Sequence, residues 1–456
     1  MIDFKKQIDE IFDDLIKDMA DLVSVNSVLD LDTAKENQPF GKANREVLDK
    51  MLAIGKRDGY EVKDVDGYAG HIDIGEGEET VAILGHLDVV PVNPTGWDSD
   101  PFTLTKKENK YYGRGTSDDK GPLLAAYYAA KLVEASGAKM NKKIRVIFGC
   151  NEESGSKCLR YYFSKEPYCT MGFTPDANFP VVYGEKKGVG FSITGHVEND
   201  KLISLNAGTV ANIVPESATA LVKGKKEDYE EAFNAFLNKY GLKGTIEEKD
   251  EVCSIELIGK SSHASLPHLG KNAVCYLAGF LNTVIDHPVT KFLTDYFFED
   301  YLAQKIGFGF TGQMGPLTLN VGIVHYNDQD LSIRLDIRAP HELDEEKMLE
   351  TMHQVLTPYQ FKEEHYIGSH LFVDPNSVLI QGLHQAYVDC TKDQSASPQA
   401  IGGGTYAKMM PNCVAFGPEF PGTDNQIHQN NEFVDIDELK LSIEIYANAL
   451  YNLVTK

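Results

Sequence analysis

Along residues 2–23, apolar side chains recur at Ile8, Ile11, Phe12, Leu15, Ile16, Met19, Leu22 and Val23. Steps of three and four place them on one face of a helix, with Asp and Lys opposite. The pattern changes at residues 80–84 (TVAIL), a short continuous apolar run of the kind expected in a strand buried on both faces. Residues 144–150 (IRVIFGC) read the same way. Between them, residues 123–135 (LLAAYYAAKLVEA) predict an Ala- and Leu-rich helix, opened by Gly121-Pro122 and closed before Gly137. Strand, helix, strand is the order of an α/β sheet.

From about Gly188 the texture becomes that of an α+β insert. Short strand-like runs at 191–197, 201–205, 253–258, 322–325 and 331–337 alternate with helical patterns at 228–240, 272–285 and 343–356. Helical patterning returns at 376–391 and closes the chain at 436–453. We therefore expect a main domain made of 1–184 and 372–456, interrupted by a second domain at 185–371. The 456 residues and 50.6 kDa accommodate this division easily.

Composition narrows the partners. The net charge of −24 repels phosphate backbones and anionic lipid, so we expect neither nucleic acid nor a membrane as partner, whereas cations are tolerated. Seven scattered cysteines without a Cys-x-x-Cys form neither a disulfide framework nor a thiolate zinc site. Together with a start lacking the layout of a signal peptide, they lead us to expect a cytoplasmic protein.

The residues able to carry chemistry sit at the predicted strand ends. His86-Leu87-Asp88 follows the first strand, Asp118-Asp119-Lys120-Gly121 precedes the first helix, Glu152-Glu153 follows the second strand, and Asp176 follows Phe173-Thr174-Pro175. His428 lies far downstream in a polar segment that runs to Glu432. Ligands of open α/β sheets bind at the carboxyl ends of the strands. Two histidines with several carboxylates suit zinc, cobalt or manganese better than calcium. Each residue also has an ordinary reading: His86 as a strand-end histidine, Asp118-Asp119 as a turn or helix cap, Glu152-Glu153 as a solvated pair, Asp176 as a turn residue, His428 as surface. Pattern alone leaves a metal site and its absence equally open.

The segments in this order resemble the co-catalytic dizinc peptidases and amidohydrolases, the family of aminoacylase, carboxypeptidase G, succinyl-diaminopimelate desuccinylase and carnosinase. The matching stretches are Gly85-His86-Leu87-Asp88, Gly113-Arg114-Gly115-Thr116-Ser117-Asp118-Asp119-Lys120-Gly121, Asn151-Glu152-Glu153-Ser154-Gly155, Pro175-Asp176, Ser262-His263-Ala264, Gly270-Lys271-Asn272-Ala273, Gly402-Gly403-Gly404-Thr405 and His428. The long insert and Asp-Asp-Lys-Gly-Pro resemble the dipeptidase V branch of lactic acid bacteria. The resemblance implies a three-layer α/β/α catalytic domain with a mostly parallel sheet, interrupted by an α+β lid domain.

It also implies roles. His86, Asp118 and Asp176 would hold one zinc, with Asp118 bridging to a second held by Glu153 and His428; cobalt or manganese could substitute. Asp88 would orient His86, and Glu152 would be the base acting on a metal-bridging water. A cis peptide would join Asp118 to Asp119. In the insert, His263 would stabilise the oxyanion, Asn212 would assist it, and Arg338 would clamp the substrate carboxylate. Read alone, Arg338 is also a strand-end ion-pair residue and Asn212 a turn former. The function expected is a zinc dipeptidase acting on short peptides with free ends, as a monomer. Competing readings are an N-acyl amino acid deacylase or desuccinylase, and a metal-dependent binding module without turnover.

Overall fold

A computed structural model describes residues 3–93 and 95–455; residues 1, 2, 94 and 456, which belong to the expected main domain, lie outside the described residues. The chain forms two units. One takes in Met1–Gly184, Leu371–Gln399 and Gly404–Lys456, the other Glu185–His370 and Ala400–Gly403. Residues 400–403, expected within the main domain, group instead with the second unit. The Gly402 carbonyl accepts a hydrogen bond from Arg338 Nη1 at 2.7 Å, and a Cβ at Gly402 would lie 2.3 Å from that of Ser265. Only glycine allows that approach.

The first unit is α/β. The centre of its sheet is parallel: Lys142–Gly149, Glu79–His86, Met171–Thr174 and Cys413–Ala415 lie side by side in that order. Ala69–Ile74 and Glu61–Val65 extend one side antiparallel, and Val182–Glu185 joins antiparallel on the other. Ile72, Val146, Ile83 and Phe173 are paired neighbours and share one face. There Gly55 of helix Lys42–Arg57 abuts Ile72, Leu123 of helix Lys120–Ala135 abuts Gly85, and Tyr446 of helix Ile436–Thr455 stacks on Phe173. On the opposite face Tyr162 of helix Lys157–Lys165 bonds to His71, while Tyr406 and Cys158 crowd Gly149. Helices therefore cover both faces, giving three layers.

The helix expected from Leu123 starts earlier, at Lys120. Pro122 falls in its first turn, where amide hydrogens have no intrahelical acceptor to lose. The N-terminal helix Lys5–Val23 buries Ile8, Phe12, Leu15, Met19, Leu22 and Val23, the apolar stripe of the pattern.

The second unit has its own core beneath an eight-stranded sheet. In order, the strands are Lys243–Lys249, Val252–Ile258, Ser217–Lys223, Leu202–Ala207, Thr318–Asn327, Asp330–Ala339, Lys187–His196 and Lys362–Ile367, all antiparallel. Burial alternates along Lys187–His196 and Asp330–Ala339, as in a sheet with one covered face. Helices Glu230–Tyr240, Ala273–Val284, Pro288–Phe297 and Glu345–Leu356 contribute to the core on that face. Among the described residues, no helix is long and apolar enough to cross a membrane.

His71 gives the first unit a pH response. Its ring is buried, Nδ1 lies 2.8 Å from the Tyr162 hydroxyl, and burial, aided by Arg145, lowers its pKa to about 4. The unfolded chain takes up a proton near pH ~6.5, so stability is full above that pH and falls as the pH drops towards 4. Between pH 7 and 5 this group should remove about 2 kcal/mol. Urea unfolding of the wild type and of His71→Asn at both pH values should show the gap between them narrowing by that amount at the lower pH.

Candidate metal centre

The parallel strands bring their carboxyl ends to one place. His86 is the last residue of its strand, Glu152 and Glu153 follow Lys142–Gly149, and Asp176 follows Met171–Thr174. Asp118 and Asp119 precede helix Lys120–Ala135, and the peptide bond between them is cis. Gly85 lets this helix approach: a Cβ there would lie 2.7 Å from Asp119 Oδ2 and from Leu123. The same Asp119 oxygen accepts the His86 amide at 3.0 Å.

Asp118 stands between two histidines. Its Oδ1 lies 2.9 Å from His86 Nε2, and its Oδ2 lies 2.8 Å from His428 Nε2. His428 Nε2 is also 3.0 Å from Glu153 Oε1, and Asp176 Oδ1 is 3.9 Å from His86 Nε2. Two sets result, His86, Asp118 and Asp176, and Asp118, Glu153 and His428. Within each set, the ligand atoms lie within 4.8 Å of one another.

The electrostatics are those of crowded anions. Burial alone would raise the Asp118 pKa, but hydrogen bonds from His428 and His86 hold it far below the usual carboxylate range. Asp176 is pushed well up by burial and by the Asp118 charge. Burial opposes protonation of His86, and the bond to Asp118 with the charges of Asp176 and Asp88 overrides it. The bonds to Asp118 and Glu153 raise His428 to about 10.

The donor set fits metal. His86 Nδ1 lies 2.9 Å from the Asp88 carbonyl oxygen. A carbonyl only accepts, so Nδ1 carries a proton; Nε2 donates to Asp118 here, and it is the nitrogen that would offer its lone pair to a cation on losing that proton. Imidazole nitrogen with carboxylate oxygen and no thiolate matches zinc, cobalt or manganese.

Comparison with known proteins shows the family. The family model described as Peptidase family M20/M25/M40 matches residues 82–452. The chain belongs to this peptidase family. It is 36% identical over 468 residues to a protein of Staphylococcus haemolyticus named as a candidate dipeptidase, with 99% of each chain covered. A similarly named protein of Bacillus subtilis is 34% identical over 458 residues, with 97% of each covered. The fold is shared with human carnosine dipeptidase 1, at TM-score 0.57 and 15% identity with 98% of each chain covered. It is also shared with the dipeptidase Dug1p of Saccharomyces cerevisiae, at TM-score 0.58 and 16% identity, covering 99% of this chain and 98% of that one. The protein is thus a peptidase-family enzyme, and its carboxylate–histidine cluster is a candidate metal centre.

Around this cluster, Asp88 bears on both His86 and the glutamate pair. Its carbonyl, not its carboxylate, meets the His86 ring at hydrogen-bonding distance; the carboxylate Oδ1 is 3.6 Å from Nδ1. The carboxylate instead accepts the Glu152 amide at 2.9 Å and the Glu153 amide at 3.1 Å. It holds the glutamate pair as a unit. Burial raises the Glu152 carboxyl to about 8, with Asp88, Glu153 and Asp118 pushing the same way and His86 opposing.

Asn212, His263 and Arg338 all lie in the second unit. The Asn212 carbonyl accepts the Ala264 amide at 2.9 Å, next to His263. His263 is exposed and its Nδ1 accepts the Ser265 amide at 3.2 Å, with the Ser265 hydroxyl at 2.7 Å. The neutral ring therefore carries its proton on Nε2. Arg338 binds Asp336 through Nε at 2.7 Å and Nη2 at 2.8 Å, and the Gly402 carbonyl through Nη1. The strand-end ion pair is present, and donors beyond these bonds remain on both Nη atoms.

Residue typing missed four supports. Lys120 is buried and donates to the Leu22 and Val25 carbonyls at 3.0 and 2.9 Å, anchoring the end of the N-terminal helix; burial lowers its pKa to about 7. Ser265 sets the His263 tautomer. Glu432 and Arg114 are paired and buried. All four occur in or beside quoted motifs, but only the fold supplies their partners.

Asp88→Asn keeps the carbonyl that meets His86 but turns one amide acceptor into a donor facing a backbone N–H. Metal affinity should fall about 10- to 100-fold, as measured by competition with a chromophoric chelator.

Proposed function

We propose that this protein is a zinc-dependent dipeptidase that hydrolyses short peptides with free amino and carboxyl ends. The observation that carries the proposal is the pair of three-residue ligand sets sharing Asp118, with the elevated carboxyl of Glu152 beside them. The names of the curated relatives favour a dipeptide substrate over an N-acyl amino acid. One set would hold each of two zinc ions, with cobalt or manganese as substitutes. Bound there, the ions would polarise the scissile carbonyl and lower the pKa of the attacking water.

The chain's own groups do the rest. Glu152 takes the water proton on a carboxylate oxygen and delivers it to the leaving amine nitrogen. Burial pushes its pKa upward, which favours holding the proton between the two steps. His263 donates Nε2–H to the oxyanion that develops on the carbonyl, and Asn212 assists it. Arg338 grips the substrate carboxylate through its remaining N–H donors. A clamp at the carboxyl end measures length, so dipeptides fit and proteins do not. The second unit would serve as the lid that carries these three residues.

A panel of dipeptides against N-acetyl and N-succinyl amino acids, run with the zinc-loaded enzyme, tests the reading. Preference for blocked substrates would replace it with a deacylase, and no turnover at all would favour a binding module. Glu152→Ala should retain metal while kcat falls about 10²–10⁴-fold; metal loss in this variant would show that base and ligand are exchanged. Arg338→Ala should raise KM for dipeptides about tenfold or more and leave KM for the corresponding C-terminal amides nearly unchanged.

A further inference from the structure

Glu432 is fully buried and is not in either ligand set. Its Oε1 accepts three backbone amides, from Gly115 at 3.0 Å, Ser117 at 2.9 Å and Asp118 at 3.2 Å. Its Oε2 takes Arg114 Nη1 at 2.6 Å. One carboxylate thus gathers the loop that ends at Asp118. Charge-assisted bonds of this kind are the strong ones, and their directions fix the loop as well as stabilise it.

The same residue lies four positions after His428. The segment between them is held in an unusual shape. Gln426, His428 and Asn431 have φ of 58°, 62° and 62°, a region that non-glycine residues rarely occupy without support. Support comes from the far side of the loop. The Gly113 amide donates to the Glu432 carbonyl at 3.1 Å, and the Ser117 hydroxyl donates to the Phe433 carbonyl at 2.6 Å. Strand Phe433–Asp435 pairs with Lys110–Tyr112, and Asn431 Oδ1 accepts the Asp98 amide at 2.8 Å.

The two segments are therefore laced together just behind the point where His428 meets Asp118. We propose that Glu432 is a positioning residue that sets His428 against the shared carboxylate of Asp118, and so governs the cation held by Asp118, Glu153 and His428. It touches neither substrate nor metal. The inference rests on the two-cation reading above. The His86, Asp118 and Asp176 set shares the loop that Glu432 gathers but does not include His428, so its cation should be affected less.

Cobalt(II) titration of the metal-free protein, followed by visible absorption, tests this. The wild type should take up two equivalents. Glu432→Gln keeps an acceptor for the amides but faces Arg114 with an amide group. It should bind one equivalent nearly as the wild type does and the other about 10- to 100-fold more weakly. Hydrolysis lost at micromolar cobalt should return at millimolar cobalt, which a purely structural role would not produce. Two equivalents bound with wild-type affinity would overturn the proposal, whatever the thermal stability of the metal-free variant. Glu432→Asp, which keeps the charge but draws the carboxylate back from the Gly115, Ser117 and Asp118 amides by one methylene, is judged by the same criterion should Glu432→Gln fail to fold. A wild type that takes up fewer than two equivalents would overturn the two-cation reading, and this inference with it.

Discussion

A single carboxylate shared between two imidazoles organises the first unit. Asp118 turns one oxygen to His86 and the other to His428. Buried at the tip of a helix, it is costly to keep charged without compensation. The histidines supply compensation in the form described here, and cations would do so more strongly. Asp88, Asp119, Asp176, Glu152 and Glu432 are fully or largely buried around it and raised in pKa for the same reason. So many carboxyl groups in one place destabilise a fold unless a positive charge repays them. A bound cation would relieve this crowding.

The sheet makes that concentration possible. Parallel strands end on one side, so residues after Glu79–His86, Lys142–Gly149 and Met171–Thr174 meet although they are far apart in sequence. Behind them the helices Lys42–Arg57, Lys120–Ala135 and Ile436–Thr455 cover an apolar face. Supporting contacts then run from backbone to side chain. Asp88 grips the amides of the glutamate pair, Asp119 the amide of His86, and Glu432 the amides before Asp118. Backbone acceptors and donors cannot rotate away, which makes these restraints stiffer than bonds between two long side chains.

Much of this was legible beforehand. Residues 80–84 and 144–150 announced strands because both of their faces are buried, and residues 123–135 announced a helix because small and apolar residues surround it on every side. The strands Met171–Thr174 and Cys413–Ala415 were not legible, being only four and three residues long, too short for any period to register. Helix Lys157–Lys165 was hidden for the same reason, with buried side chains only at Cys158, Leu159 and Tyr162.

The local pattern of residues determined which segments fold as helix or strand, and the order of motifs determined which side chains were candidates for metal, because those depend on neighbours in the chain. The tertiary structure alone decided which atom does what. The Asp88 carbonyl rather than its carboxylate meets the His86 ring, Arg338 is already paired with Asp336, residues 400–403 group with the second unit, and Glu432 binds a loop more than three hundred residues earlier. Hydrogen bonds are decided by angstroms and angles, whether between residues two apart, as at Asp88 and Arg338, or between segments distant in sequence, as at Glu432, and no periodicity along the chain encodes those.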